Sequence, residues 1–476
     1  MPVPTADVPE RNRGAPNSAV EGSERAGSMA GHQLQHSVEG DRQQAGAAMA
    51  VRASEPAAYR YSLDRYIDTG NIVVLETGHA ERVRRSPTRR IAMVLVDASA
   101  EVRLSAVVMT HPSRRRAAEA LRDRHPDLNL TIVEDPEPAG PPSALRTARL
   151  AWGAVTPDAT HHLVVQDDME LVEGIAGLAR QAAVAMPDQI LSLFSEWGSR
   201  TAHAVRLGAI EGVSWVPVID PYIPTAALLV PAQVARDLAK FPADDSAPDD
   251  VVLLEYVREH NLVAYVSIPN LAEHTGSQSL VGNDTFWGPR HAALYAGRLD
   301  TVPALDSTVS QQTLVPHLLV WDGFSLALVR DAYVDPTRSQ WSAIPTFLYL
   351  AERGVTVPDL LAWFGEATAD LFKDGEVRTL VGDSVVFQSW VNHLAYGVAA
   401  AEVLPDLATL TERMSDPVVI EGMRTLVPGM YQRFLPVPST LRLRDIMDDF
   451  IRGAIQVGFT VPAQLAARAA LAAEPS

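Results

Sequence analysis

The run His161-His162-Leu163-Val164-Val165-Gln166-Asp167-Asp168-Met169-Glu170-Leu171 constrains this chain most. Apolar residues from Leu163 to Val165, and again at Met169, bracket a polar cluster. This is the pattern of a buried parallel strand whose carboxyl end carries a site. Two adjacent carboxylates at a strand end repel each other and lose hydration, so they persist most easily when something positive stands between them and a ligand. The commonest such partner is a hard divalent cation that also grips phosphate oxygens, Mg²⁺ or Mn²⁺. Asp-Asp after a strand equally serves as turn chemistry, the side chains accepting from nearby backbone N–H groups.

Composition narrows the partners. The formal charge of -18 argues against a nucleic-acid backbone as ligand, since binding one needs clustered Lys and Arg. A metal that bridges acidic residues to an anionic small molecule is compatible with it. With no cysteine, thiolate metal sites, disulfides and a Cys nucleophile are excluded. The first residues lack a basic stretch followed by an apolar run, and the most apolar window, Leu314 to Val329, is interrupted by His317 and Asp322 and closed by Arg330. No transmembrane segment is expected, and the location is expected to be cytoplasmic.

At 476 residues, 47% of them hydrophobic, the chain is expected to hold two or three domains. Residues 1–55 are rich in Ala, Gly, Ser, Pro and Gln and read as a disordered tail. Over 56–102, the β-branched runs Asn71–Glu76 and Arg90–Val96 read as strands packing on the next domain. An alternating region follows over 103–305. Leu104–Thr110 reads as a buried strand, Arg114–Arg124 as a helix, Leu130–Val133 as a strand, a stretch from Ser143 as a helix and Leu163–Val165 as the third strand. Short connections between them imply parallel pairing with right-handed crossovers.

Helices are expected over Gly174–Met186, Pro231–Leu238 and Asp249–His260, and strands over Gln189–Phe194, Ala226–Val230 and Val263–Val266. Trp197–Pro221 reads as an irregular excursion. Over 306–476 the pattern becomes helical, with apolar runs around Trp341–Leu350, Val357–Phe372 and Val385–Val403. These apolar helices also suit a homo-oligomer. The fold class is therefore α/β, a mixed, mainly parallel, Rossmann-like sheet flanked by helices, with a mainly helical C-terminal domain. Ligands of such sheets sit beyond the carboxyl ends of the strands, where His111-Pro112-Ser113-Arg114, Glu134-Asp135 and Gln166-Asp167-Asp168 all fall.

Residues 103–290 carry a likeness in these motifs. Thr110-His111-Pro112, Val133-Glu134-Asp135, Leu163 to Asp168, and Ile268-Pro269-Asn270-Leu271-Ala272-Glu273-His274-Thr275-Gly276-Ser277-Gln278-Ser279 together resemble nucleotide-sugar-dependent glycosyltransferases of the GT-A fold. The resemblance implies a GT-A-like sheet that binds a sugar nucleotide through Mn²⁺ or Mg²⁺, with Asp168 and His274 as the metal ligands and Asp167 facing the ribose or donor sugar. Gln166 departs from the family's Asp-x-Asp form. Thr110 and His111 are implied to border the nucleotide base, Asp135 to meet the base or ribose, and Gly276 and Ser277 to offer N–H groups to the diphosphate. Asp135 also suits a plain turn before Pro136, and His274 a loop position. Arg146 and Arg149 stand three apart on a flanking helix, facing either phosphate or solvent.

The resemblance implies metal-dependent transfer of a sugar from a nucleotide-sugar donor to an unidentified acceptor. An inverting reaction also needs a carboxylate to take the acceptor's proton. Asp250, ahead of Asp249, is the candidate, although Ser246-Ala247-Pro248-Asp249 is also a good helix start. Trp197, Trp215 and Tyr222 have flat faces that suit sugar rings and equally suit core packing. Two other functions fit less well: a non-catalytic interaction protein on a degenerate sheet, and a nucleotidyltransferase, whose Gly-rich loop is missing after the first strand.

Overall fold

The structure, a computed structural model, describes residues 101–276, 288–319, 323–330, 341–373 and 375–473. The tail expected over 1–55 and the strands expected over 71–76 and 90–96 lie outside the described residues.

The expected alternation forms. β1 (Leu104–Thr110), α1 (Arg115–Arg124), β2 (Thr131–Glu134), α2 (Ala144–Gly153) and β3 (His161–Gln166) follow one another, and β1 pairs parallel with β2 on one side and β3 on the other. Successive strand side chains point to opposite faces, so these runs feed two cores. Ala106, Val108, Leu163 and Val165 pack in one, and Val107, Met109 and Val164 in the other.

Next come β4 (Met169–Leu171), α3 (Ile175–Ala185), β5 (Ile190–Ser192), α4 (Arg200–Glu211), β6 (Trp215–Pro217) and β7 (Ala227–Pro231). Then follow α5 (Ala232–Leu238), α6 (Asp249–Glu259), β8 (Ala264–Ser267) and β9 (Ala272–His274). The main sheet has seven strands in the order β2-β1-β3-β7-β5-β8-β6. β7 runs antiparallel to β3 and β5, and β6 antiparallel to β8, so the sheet is mixed and mainly parallel. Helices α1 and α3 cover one face and α2, α5 and α6 the other.

Trp197–Pro221, expected to be irregular, instead holds α4 and β6. Ser199 caps α4 by accepting from the Ala202 N–H (3.0 Å), and Gly212 ends it at a φ of +89° that glycine adopts without strain. Every residue from Thr201 to Ile210 is buried, so the helix shows no polar stripe to betray it.

Beyond the sheet, β10 (Leu314–Leu319), β11 (Phe324–Arg330) and β12 (Trp341–Pro345) form a second, antiparallel sheet. The run from Trp341, expected to be helical, is thus a strand as far as Pro345 and a helix only over α7 (Thr346–Ala351). The rest is helical, as expected: α8 (Val357–Thr368), α9 (Glu376–Val381), α10 (Asp383–Val403), α11 (Leu407–Arg413), α12 (Pro417–Arg424), α13 (Leu426–Tyr431) and α14 (Val437–Ala473).

α10 and α14 cross at two glycines. A Cβ on Gly397 would stand 1.9 Å from the Ile455 carbonyl oxygen, and one on Gly458 1.9 Å from that of Leu394. One apolar core joins Val205 and Ile210 of α4 to Leu394, Met430 and Ile455. Among the described residues no helix is long and apolar enough to cross a membrane.

Candidate functional site

The chain leaves β3 at Gln166, turns through Asp167 and Asp168 and enters β4. β4 pairs antiparallel with β9, setting Met169 opposite His274, and the Thr275 N–H donates to the Asp168 carbonyl (2.9 Å). This two-stranded ribbon brings the late His274 to the early acidic pair.

Both carboxylates are buried. Thr110, at the end of β1, donates its hydroxyl to Asp167 Oδ2 (2.5 Å). Arg114 Nη1 donates to Asp167 Oδ1 (3.2 Å) and to Asp168 Oδ2 (3.1 Å), and so bridges the pair. Asp168 Oδ1 is shielded from solvent and has no hydrogen-bond partner among the described residues. Burial pushes the Asp167 carboxyl above its ordinary range, and neighbouring Asp168 adds to this against the pull of Thr110 and Arg114. Burial also acts on Asp168, but the His274 contact and the charges of Arg114 and Arg290 outweigh it and hold that carboxyl low. The two neighbouring carboxyls are thus pushed in opposite directions.

The Gly276 N–H, donating to His274 Nδ1 (3.1 Å), fixes the ring's proton on Nε2. Nε2 faces Asp168 Oδ2 at 3.4 Å. Arg290 Nη2 stands 3.3 Å from the same nitrogen and acts there as a charge beside Asp168. Neighbouring Glu273 locks β9 in place. Its carboxylate accepts from the backbone of His274 (2.8 Å) and Ala292 (2.8 Å) and from Arg298 Nη2 (2.6 Å).

Asp249 and Asp250 open α6. Asp249 is buried and accepts from the Thr225 hydroxyl (2.8 Å), a structural commitment. Asp250 is half-buried, its Oδ1 shielded and without a hydrogen-bond partner among the described residues. Burial, reinforced by the Asp249 charge, pushes its carboxyl up to about 7, with Arg290 pulling the other way. Burial likewise raises Glu196, just past β5, against Arg433 and Arg290. The field of Arg290 thus reaches Asp168, Asp250 and Glu196 together.

Several expected residues are committed to one another. Arg146 Nε and Nη2 grip Asp135 in a fork (2.7 and 2.8 Å), and the Arg146 hydrogen bond holds that carboxyl below its usual range. His111 caps a short turn, with Nδ1 on the Ser113 N–H (3.2 Å), and its Nε2 meets the Pro138 carbonyl (3.3 Å). Arg149 pins a loop through Asp245 (2.5 Å) and the carbonyls of Phe241 and Ala243 (3.1 and 2.9 Å).

Of the aromatic residues, Trp215 is wholly buried with its N–H on the Asp306 carbonyl (2.6 Å), leaving no ring face to a ligand. Trp197 is buried edge-on to His291 and donates to the Pro289 carbonyl (2.9 Å) and Gln432. Tyr222 is half-buried ahead of β7. Ser277 lies outside the described residues.

No protein-family model matches this chain, and no curated protein matches it. The site's chemistry therefore stands on its own residues.

Arg290 and Glu196 were not among the expected residues, because no local pattern marks either. Arg114 had a signal, an arginine just past a strand end that also carries the Thr110 hydroxyl. The expected Mg²⁺ or Mn²⁺ does not fit the donor set as it stands. Arg114 fills the bridge between the two carboxylates, His274 turns a proton toward Asp168, and among the described residues no group of three or more His, Asp or Glu side chains is arranged to hold a metal ion.

Proposed function

We propose that the protein is a glycosyltransferase that takes its sugar from a nucleotide-sugar donor bound at the carboxyl rim of the seven-stranded sheet. The observation that carries this reading is Asp250. Its carboxyl is pushed up to about 7 and has a shielded oxygen without a partner among the described residues, and the same arginine, Arg290, acts on it and on Asp168. A group poised near the working pH is what general-base catalysis needs.

In this reading Asp250 takes the proton of the acceptor hydroxyl as its oxygen attacks the anomeric carbon. The bond from that carbon to the diphosphate breaks, and the nucleoside diphosphate leaves with the bonding pair. Its charge has to be met by cations at the rim, and Asp168 Oδ1 is free to accept from a donor hydroxyl. A second reading, a non-catalytic binding protein on the same sheet, draws support from the Asp135–Arg146 fork, which leaves neither group to a ligand.

Slow hydrolysis of nucleotide sugars, screened with the full chain, separates the two. The transferase reading expects one donor to be hydrolysed and the Asp250→Asn variant to lose that turnover. Hydrolysis of none of them would favour the non-catalytic protein.

A further inference from the structure

We infer that the acidic pair works with an arginine in place of a resident divalent cation: Arg114, bridged between Asp167 and Asp168 and backed by Arg290, carries the positive charge that an anionic phosphate ligand meets at this rim. The nature of that ligand rests on the proposed transferase reading; the claim about the cation does not.

The geometry makes the case in three steps. A cation shared by two adjacent carboxylates takes one oxygen from each, and Arg114 Nη1 occupies that position, with Asp167 Oδ1 at 3.2 Å and Asp168 Oδ2 at 3.1 Å. The His274 imidazole beside them presents Nε2–H, because the Gly276 N–H already holds Nδ1. A metal on Nε2 would move the proton to Nδ1, against that N–H, and the turn would have to open. Finally, Arg290 Nη2 lies 3.3 Å from Nε2, so a divalent ion between His274 and Asp168 would enter beside a second guanidinium.

Charge balance points the same way. Two carboxylates alone would repel a diphosphate and attract a metal, whereas two carboxylates with two guanidinium groups are neutral and gain little from a further two charges. The planar guanidinium is also suited to phosphate oxygens, which it meets with paired N–H groups. The acidic pair then serves to orient Arg114. Asp168 Oδ1, buried and unpartnered, is left for a hydroxyl of the ligand.

The test uses the full chain and Mn²⁺ alone, followed by Mn²⁺ paramagnetic resonance and calorimetry. The wild type is expected to show no saturable Mn²⁺ binding. Arg114→Gln, which uncovers both carboxylates, is expected to gain it, and adding Asp168→Asn to that variant to remove it. Arg114→Lys keeps a charge at the bridge and is expected to stay metal-free, and thermal melts of each variant check folding. Saturable Mn²⁺ binding by the wild type overturns the inference, and so does a folded Arg114→Gln that binds none. If Arg114→Gln does not fold, the wild-type and Arg114→Lys titrations decide, and binding by either one overturns it.

A separate arm titrates nucleoside diphosphates into the wild type with and without EDTA. Binding unchanged by EDTA, and weakened about tenfold or more in Arg114→Lys as a paired contact becomes a point charge, supports the inference. Binding that appears only with Mn²⁺ overturns it. Binding of no nucleotide in either condition counts against the transferase reading and leaves the Mn²⁺ result standing.

Discussion

His274 and Asp168 face each other from the two strands of the β4–β9 ribbon, Nε2 standing 3.4 Å from Oδ2. That contact, more than Arg114 or Arg290, holds the Asp168 carboxyl low against its burial. In His274→Ala the Asp168 titration is therefore expected to move up. Carbon-13 NMR of labelled aspartate carboxyls reads this directly, and a titration that stays in place would remove His274 from the site.

If Asp250 is the base of the proposed transfer, activity follows its titration. With its carboxyl at about 7, the active base is the ionised form, so turnover of a donor is expected to rise with pH through a midpoint near that value. Asp250→Asn is expected to cost about 10²–10⁴-fold in turnover, the usual contribution of a positioned base. A pH profile of the wild type, repeated on the variant, checks both.

The same residue makes a stability prediction of opposite sense. Its folded value lies above that of an unfolded aspartate, so the folded state loses stability as pH rises from about 4 toward about 7. Asp250→Asn removes the cost of ionising a shielded carboxyl. The variant is expected to melt above the wild type at pH 8, by a margin that closes near pH 4, as calorimetry at the two pH values will show.

Acid should weaken the helical region through buried histidines. His203, His317 and His393 lie in one interior, and burial holds His317 and His393 down to about 3 and His203 well below its ordinary value. All three are neutral in the fold, while an unfolded histidine titrates at about 6.5, so stability is full above that pH and falls as pH drops toward about 3. Denaturant melts between pH 7.5 and 5 are expected to show this slope, and His317→Gln to reduce it.

The α10–α14 crossing should tolerate no side chain. With a Cβ at 458 only 1.9 Å from the Leu394 carbonyl oxygen, Gly458→Ala has to separate the helices. Its expected cost is about 1–3 kcal/mol or more, the range for overpacking, measured by urea unfolding.

Much of the sheet was legible because its central strands are buried on both faces, so β1, β3, β7 and β8 each show as an apolar run between turn signals. The acidic pair was legible for the same reason, standing where β3 stops. α4 escaped notice because His203 and Arg206 are buried inside it, yet the Ser199 cap and Gly212 stop were there to be read. β12 escaped because Trp341-Ser342-Ala343-Ile344-Pro345 is too short to show a period. Arg290 and Glu196 reach the site only through tertiary packing, and nothing local distinguishes them from solvated charges.

The central claim is that the rim around Asp168 binds a nucleotide sugar, and calorimetric titration of the full chain with a panel of nucleotide sugars tests it most directly. The account predicts saturable binding of at least one donor, weakened about tenfold or more in Asp168→Ala as a charge-assisted hydrogen bond is lost. Binding of none, or binding that Asp168→Ala leaves unchanged, would contradict it.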